Sequence, residues 1–393
     1  MSLQPFFHRE QYARDMALQL LKPTALQLQV RSGVFLSGIR RIGKTTFLRQ
    51  DLIPALESMG ALVIYVDLWA DRNKSPASLV HEAIRATLSE LTSPTSRVFE
   101  RLKSINLGAA GFSFGFQLDS VGKPGGTTLA EVFTELVDRV KTDVVLIIDE
   151  VQQALGGEDG VNLLFALKAA RDGVNTRPDT AGHFLFLGTG SHRSLLADMA
   201  TRRSQPFAGA VSTAYQPLGI DFVKWKHEQL QQIESIKLPT LEVMYQGYLA
   251  VGERPEELQK ALTLLQSRPE APDLAFPIIC SALATGAAEV EIAALESLGT
   301  LASAIFDRIV QGNESGESGL FSADAVNSYS EQIGMQVDTP QVQNMIDRMI
   351  ASNLILRQSH GVYAVADPFV RQVWRQRKVI QLPVTSPNRD TGV

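Results

Sequence analysis

The octapeptide "GIRRIGKT", residues 38–45, constrains this 393-residue chain more than any other feature. It matches the pattern G-x-x-x-x-G-K-[ST], with the apolar sequence "VFLS" before it and a helical sequence after it. Glycines let a backbone wrap closely around phosphate groups with its N–H groups pointing inward, and the start of the next helix favours anions. The sequence therefore predicts a phosphate-binding loop between a buried strand and a helix.

The side chains of this loop predict its ligands, which are ATP and Mg²⁺. Lys44 would reach the β and γ phosphates, and the Thr45 hydroxyl would hold the metal ion. The alternative is a glycine turn with a surface lysine, and the flanking strand and helix argue against it. Arg40 and Arg41 are expected to point away from the loop, towards a neighbouring domain or subunit. The residues expected to bind the nucleotide are Gly38, Arg41, Ile42, Gly43, Lys44, Thr45 and Thr46.

A second acidic sequence, "VVLIIDE", ends an apolar run with Asp149 and Glu150. In an open parallel sheet ligands bind beyond the carboxyl ends of the strands, so both carboxylates are expected beside the phosphate loop. Asp149 would hold Mg²⁺ through water, and Glu150 would orient or deprotonate the attacking water. The alternative is a pair of solvated loop carboxylates. Because Glu150 has this proposed role towards water, its presence predicts hydrolysis as well as binding.

Strand-like and helical sequences alternate over the first half of the chain, which predicts an α/β fold with a mostly parallel sheet. The predicted strands lie in "GVFLSG", "ALVIYVDLW", "DVVLIIDE" and "HFLFLGTG". Phe112, Phe114 and Phe116 alternate with small or polar residues and predict a β-hairpin.

The sequence also predicts the domain boundaries. The expected divisions are an N-terminal helix in 1–25, a core in 26–220 with the hairpin insertion near 105–126, and a helical lid in 221–311. A winged helix in 312–382, which begins with the linker "GNESGESG", and a disordered tail in 383–393 are expected to follow.

Composition limits the class of protein. The formal net charge of −5 argues against a protein that coats nucleic acid non-specifically. The start of the chain has no basic residues followed by an apolar run, so no signal peptide is expected. The apolar sequence "LAFPIICSALATGAA" is expected to be broken by Pro277 and to be too short to span a bilayer. With a single cysteine, Cys280, we expect a cytoplasmic protein that does not enter a membrane.

The sequences "GIRRIGKTTFL" and "LIIDEVQQAL" together resemble the archaeal-type ATPases, within the wider group of AAA+ and STAND-like ATPases. The sequence "GVYAVADPFVRQVW" is similar to the short strand and "DP" segment of their winged-helix domain. The resemblance implies a P-loop NTPase (AAA+-like) parallel-sheet core, a helical lid and a C-terminal winged helix. It also implies that the protein hydrolyses ATP.

The resemblance suggests roles for residues outside the two motifs. Thr189 is the first choice, and Ser191 the second, for the polar residue that senses the γ-phosphate after the fourth strand; a helix cap is the alternative for Ser191. Arg254 resembles the arginine of a lid that closes over the nucleotide, although the surrounding turn matches only loosely; a solvated arginine at a helix start is the alternative. The resemblance also implies that an arginine reaches the nucleotide of a neighbouring subunit, and the candidates are Arg193, Arg202 and Arg203. The alternative for these three is a solvated basic loop.

The predicted winged helix leaves its partner open. Gln341, Gln343, Asn344 and Arg348 are expected to face outward from its recognition helix, where they could read bases. Residues 315–380, however, contain six basic and six acidic residues, and a DNA reader usually has a clear basic excess. Protein contact is therefore favoured slightly over sequence-specific DNA binding.

The combined interpretation is an ATP-driven molecular switch that couples its nucleotide state to homo-oligomerisation, an effector protein or DNA. By resemblance alone, mobile-element or antiviral defence is a setting for such ATPases. One alternative is a DNA-targeting ATPase of the transposition-regulator kind. The other is a winged-helix transcription regulator whose nucleotide site only senses.

Overall fold

A parallel sheet carries the first half of the chain and confirms the predicted α/β class. Its strand order is β2-β3-β4-β1-β5, and each neighbouring pair is parallel. The strands are β1 (Val34–Ser37), β2 (Leu62–Asp67), β3 (Val144–Asp149), β4 (Phe184–Gly190) and β5 (Val211–Ala214). Every residue of β1, β3 and β4 is buried, as expected for central strands with helices on both faces.

The structure is a computed structural model, in which the chain divides into two compact units between Pro217 and Leu218. The described residues are 6–71, 73–93, 95–106, 113–123, 125–313, 316–359 and 361–381. The helices of the first unit are α1 (Glu10–Leu21), α2 (Lys44–Phe47), α3 (Ile53–Ser58), α4 (Pro76–Thr92), α5 (Arg97–Asn106), α6 (Leu129–Val140), α7 (Glu158–Asn175) and α8 (Arg193–Thr201).

The helices cover the sheet on both sides because the side chains of each strand alternate between two cores. Leu146 and Ile148 of β3 pack with α4, α6 and α7, whereas Val145 and Ile147 pack with α1, α2 and α3. The N-terminal helix α1 contributes Ala13, Ala17 and Leu20 to the second of these cores. It is therefore part of the same unit as the sheet and does not stand apart from it.

Two features of the first unit differ from the sequence predictions. The short edge strand β5 was not predicted, because "VSTA" is only four residues long and its side chains are mostly exposed. The predicted β-hairpin is wrong wherever the structure describes its segment. Helix α5 extends to Asn106, and the turn Leu118–Ser120 is a 3₁₀ helix. Phe114 and Phe116 are half-buried against the core, and Phe112 lies outside the described residues.

The second unit begins with helices, as predicted, and ends with a small sheet. Its helices are α9 (Gly219–Gln231), α10 (Leu241–Ala250), α11 (Pro255–Leu265), α12 (Pro272–Ser297), α13 (Thr300–Gln311), α14 (Ala323–Ile333), α15 (Thr339–Ala351) and α16 (Pro368–Gln381). Its strands are β6 (Glu317–Ser318), β7 (Ile355–Ser359) and β8 (Val362–Val365). The strands form an antiparallel sheet in the order β6-β8-β7.

This order of one helix, a strand, two helices and two strands is the arrangement expected of a winged helix. Gly361, with a φ of +75°, turns the chain between β7 and β8, as the sequence predicted. The segment 312–319 was expected to be a linker, but Glu317 and Ser318 within it form β6 of the sheet. The predicted tail, residues 383–393, lies outside the described residues.

Helix α12 corrects the expectation at Pro277, because it runs through this proline without ending. Pro277 is the sixth residue of the helix, so only one hydrogen bond near the helix start is lost. The expectation that this sequence is too short to span a bilayer is also wrong, because α12 has 26 residues and by length and composition alone could cross a membrane. The apolar window of α12 is 28% buried, and one such helix is weak evidence of a membrane span.

The arginines of α16 bond to the end of α13. Arg371 donates to the carbonyl of Val310 at 3.0 Å and to the carbonyl of Gly312, and Arg375 donates to the Val310 carbonyl at 2.7 Å. Carbonyl groups at a helix C-terminus have no partner within the helix, and cationic donors satisfy them well. These arginines therefore stabilise the packing of α13 against α16.

We expect Arg371→Met to lower the free energy of unfolding of the second unit by about 1–3 kcal/mol, since bonds from charged donors contribute about that much. Chemical denaturation of the intact protein measures this change. Gln372→Met is the matched control, because Gln372 is exposed on the same helix and should leave the transition in place. An unchanged midpoint for Arg371→Met would show that these bonds are not stabilising.

Candidate nucleotide-binding site

The carboxyl ends of β1, β3 and β4 bring the two predicted motifs together. In the sheet Leu36 pairs with Thr189, and Ile148 pairs with Gly188. The phosphate loop after β1, the acidic pair after β3 and the polar end of β4 therefore share one edge. This edge is where open α/β sheets bind their ligands.

The loop has the backbone that its glycines predict. Gly43 has a φ of +91°, in the left-handed region that glycine adopts without strain. A Cβ atom at Gly38 would lie 2.8 Å from Ile42 Cδ1 and 3.2 Å from Tyr215 Cβ, so any other residue there would require these side chains to shift. Arg41 also has a positive φ, of 67°, which is uncommon for a residue with a side chain. Thr45 and Thr46 are exposed at the start of α2.

Lys44 lies inside the loop. Its Nζ donates to the carbonyls of Gly38 at 2.6 Å and of Ile39 at 2.9 Å, and only 6% of the residue is exposed. Burial lowers the pKa of Lys44 below its ordinary value, and the carboxylates of Glu150 and Asp149 oppose this shift. If a phosphate entered the loop, Lys44 Nζ would exchange its two carbonyl contacts for a bond to a phosphate oxygen, in which both groups are charged.

Asp149 is the best-satisfied carboxylate of the site. It is 1% exposed, and its Oδ2 accepts hydrogen bonds from Thr45 Oγ1 at 2.6 Å and from the Tyr65 hydroxyl at 3.2 Å. Its Oδ1 accepts a hydrogen bond from Thr189 Oγ1. The structure thus brings together Thr45, Asp149 and Thr189, which the sequence placed at separate motifs.

Sequence reasoning missed Tyr65, which lies in β2 beside β3. Burial, together with the neighbouring Asp149 carboxylate, raises the pKa of Tyr65 well above its ordinary value, so its hydroxyl stays a donor. The signal was a single hydroxyl-bearing aromatic residue within the apolar sequence "LVIYV". Its contact depends on the pairing of β2 with β3, in which Tyr65 lies opposite Ile147.

Glu150 follows Asp149 in the left-handed region, with a φ of +55°. Its Oε2 accepts hydrogen bonds from Gln152 Nε2 and from Ser191 Oγ, the latter at 3.2 Å. Ser191, the second choice for a sensor, thus contacts Glu150, whereas Thr189 contacts Asp149. Gln152 is a further polar residue of the site that the sequence analysis did not single out.

Arg40, which was expected to meet another domain or subunit, contacts Trp69 and Ser191 of its own unit. Its guanidinium group lies over the ring of Trp69, 4.9 Å from the ring centre. Its Nε is 3.5 Å from Ser191 Oγ, at the outer limit of a hydrogen bond. Arg40 therefore covers the edge of the site next to Glu150.

The other predicted arginines do not join this cluster. Arg193, Arg202 and Arg203 are exposed on α8 and after it, and Arg202 lies 3.3 Å from Asp198. None of the three bonds to Lys44, Asp149 or Glu150 within the part of the chain that the structure describes. Arg254, in the second unit, forms an ion pair with the buried Asp367.

Comparison with known families agrees with the geometry of the first unit. Residues 12–174 match a family described as an ATPase domain predominantly from Archaea, and this stretch includes Lys44, Asp149 and Glu150. The chain is a P-loop ATPase. Comparison of this ATPase with curated proteins gives no match.

Solved structures show the fold of the whole ATPase chain. The ADP form of the Aeropyrum pernix ORC2 protein aligns with a TM-score of 0.55 and 13% identity, over 98% of this chain and 97% of that one. Its ADPNP-ADP complexes align with a TM-score of 0.53 and 14% identity, over 96% and 98% of the two chains. At this identity the likeness shows the fold alone, which is the AAA+ type of the P-loop fold.

We expect Lys44→Met to weaken ATP binding at least about 100-fold, because a charge-assisted phosphate contact is lost and tenfold corresponds to about 1.4 kcal/mol. Titration calorimetry of the intact protein measures this affinity. Lys123→Met, at an exposed position in the same unit, should bind ATP normally. An unchanged affinity for Lys44→Met would rule out this loop as the phosphate site.

Proposed function

We propose that this ATPase is a molecular switch of the AAA+/STAND type, which hydrolyses ATP with Mg²⁺ and couples its nucleotide state to assembly or to a partner. One observation carries the catalytic part of the proposal. Thr45 of the loop and Thr189 of β4 both donate to the buried Asp149, directly beside Glu150. This arrangement supports a phosphate site, a metal ligand and a base at one edge of the sheet.

The residues present suit Mg²⁺. Thr45 and Asp149 offer a hydroxyl and a carboxylate whose oxygens are 2.6 Å apart, and Mg²⁺ prefers such oxygen ligands while keeping several waters. When bound there, the ion would offset negative charge on the nucleotide phosphates. Tyr65 and Thr189 would keep the Asp149 carboxylate in place.

Hydrolysis follows from the roles of the chain's own groups. Lys44 would stabilise the charge that develops on the γ-phosphate, and the loop N–H groups would bind the other phosphates of ATP. Glu150 would orient the attacking water and accept its proton. Glu150 is only partly buried, so its carboxylate is open to the water that it would activate.

We expect Glu150→Gln to bind ATP normally and to lower kcat by at least about 100-fold, the smaller end of what a general base contributes. Phosphate release and calorimetry on the same preparation separate these two effects. Glu158→Gln, at an exposed position on α7, is the matched control and should keep its turnover. Near-normal phosphate release by Glu150→Gln would remove Glu150 from this role and favour a regulator that only senses nucleotide.

Homo-oligomerisation is the second part of the proposal, and exposed arginines support it. Arg202 and Arg203 lie at the solvent-exposed end of α8, where they are free to approach the nucleotide of another copy. The salt bridge from Arg202 to Asp198 is exposed and weak, so it is no obstacle to such a contact. Arg193 is the remaining candidate on this helix.

We expect the solution mass of Glu150→Gln to rise with ATP and Mg²⁺ but not with ADP and Mg²⁺, as measured by light scattering.

In the wild-type background, Arg202→Ala with Arg203→Ala should lower turnover only under conditions in which the protein assembles, because each arginine would act on a neighbouring copy. Equal loss of turnover in a monomer at high dilution would contradict a role in trans.

A partner protein is favoured over DNA as the target of the second unit. Of the basic residues beyond the wing, Arg371 and Arg375 cap α13, and Arg377 pairs with Glu289 and Glu296. Their charges are thus already used inside the unit. Gln341, in the first turn of the recognition helix α15, is also tied into a capping box with Asp338.

DNA binding remains the second candidate because α15 does expose Gln343, Asn344 and Arg348. These side chains suit base edges in a major groove. ATP-dependent and salt-sensitive binding to duplex DNA would favour a DNA-targeting ATPase of the transposition-regulator kind. Binding that is independent of hydrolysis would favour a transcription regulator.

The lid role of Arg254 and a cytoplasmic location complete the proposal. Arg254 is paired with Asp367 and lies 5.9 Å from the centre of the Phe369 ring, so sensing the γ-phosphate would require this pair to open. A cytoplasmic location away from membranes fits the single buried cysteine and the charge of −5. An effector in mobile-element or antiviral defence is supported only by the family resemblance.

A further inference from the structure

A buried amide lies directly behind Glu150. Gln152 is 4% exposed and lies in the 3₁₀ turn Val151–Gly156, which follows β3. Its Nε2 donates to Glu150 Oε2 and lies 3.4 Å from Ser191 Oγ. Because an ionised carboxylate can only accept hydrogen bonds, the amide nitrogen must face Glu150, and the amide oxygen must face away.

The amide oxygen of Gln152 is the unusual part of this contact. It is buried and has no hydrogen-bond partner among the residues that the structure describes. Burying such an oxygen without a partner is unfavourable, and an apolar side chain of similar size would fill the same space without this cost. Packing alone therefore does not account for a glutamine here, whereas its bond to Glu150 does.

The neighbouring backbone is shaped to allow this contact. A Cβ atom at Gly190 would lie 1.9 Å from the amide oxygen of Gln152, so a glycine at the end of β4 leaves the space that the amide needs. Glu150 itself adopts a left-handed φ of +55°, which is costly for a residue with a side chain. This strained backbone supports a functional role for the orientation of the Glu150 side chain.

The two donors share one oxygen of the carboxylate. Gln152 and Ser191 both donate to Glu150 Oε2, while Glu150 Oε1 accepts no hydrogen bond from the described part of the chain. Ser191 is itself buried, at 2% exposure, so neither donor has room to move far. The carboxylate is thus held by one edge, with the other oxygen open.

We propose that Gln152 is a positioning residue that, together with Ser191, holds Glu150 by Oε2 so that Oε1 faces the attacking water. This inference rests on the proposed role of Glu150 as the base. Gln152 touches neither water nor nucleotide in this mechanism and acts only through Glu150.

Gln152→Met tests the inference, because methionine keeps the length of the side chain and removes its amide. We expect kcat to fall about 10- to 100-fold, as displacing a reacting group by about an ångström has effects of this size. The KM and the calorimetric affinity for ATP should stay within about twofold of wild type, since no nucleotide contact is lost. Gln153→Met, next along the same turn, should leave kcat unchanged.

A double-mutant cycle separates positioning from a general structural effect. If Gln152 acts only through Glu150, Gln152→Met should cause no further loss of single-turnover rate when Glu150→Gln is already present. Equal losses in both backgrounds, or an unchanged kcat in the single variant, would overturn the inference. Near-normal turnover by Glu150→Gln alone would instead overturn the proposed function on which it rests.

Ser191→Ala provides a second route if Gln152→Met does not fold. It removes the other donor to Glu150 Oε2 and leaves a smaller side chain, so the core is not overfilled. If Ser191→Ala also causes no further loss of single-turnover rate when Glu150→Gln is present, this result would support the two-donor arrangement. An additive loss would show that Ser191 acts on another group and would contradict the arrangement.

Discussion

The buried carboxylate of Asp149 is the constraint on which the rest of the site depends. A charge at this depth is costly unless hydrogen bonds replace its water, and three hydroxyl groups do so, from Thr45, Tyr65 and Thr189. These come from the phosphate loop, β2 and β4, so one carboxylate ties three elements to the end of β3. Any slip in strand register would leave it unsatisfied. Thr45 of the phosphate loop and Thr189 of β4 are thereby held beside Glu150.

The site and the second unit use charge in different ways. In the site, Lys44 is desolvated and held near two carboxylates, an arrangement that costs stability and suits an anionic ligand. In the second unit, Arg371 and Arg375 satisfy carbonyls at the end of α13, an arrangement that stabilises the fold and leaves little charge for a ligand. Basic residues at the end of a chain are therefore not sufficient evidence of a nucleic-acid surface, because helix ends compete for the same donors.

Local pattern predicted the fold wherever burial and secondary structure agree. Strands β1 to β4 and most helices were predictable because apolar runs and helical spacing report burial directly. The β-hairpin at Phe114 and Phe116 was wrong, since alternating aromatic residues also occur where a loop packs against a core. Strands β5 and β6 were missed because each is short and owes its existence to a neighbouring strand. Helix α12 continues through Pro277 because its packing outweighs one lost hydrogen bond.

The sequence by itself determined the phosphate loop, the acidic pair and the class of chemistry, because each motif is contiguous and its residue types are dictated by phosphate and metal ions. Only the tertiary structure decided which side chains meet. Tyr65 and Gln152 carry no motif, and Arg254 pairs with Asp367, which lies 113 positions further along the chain. Contacts between residues far apart in the chain depend on strand register and helix packing. No short stretch of sequence contains that information, because it arises from the whole core.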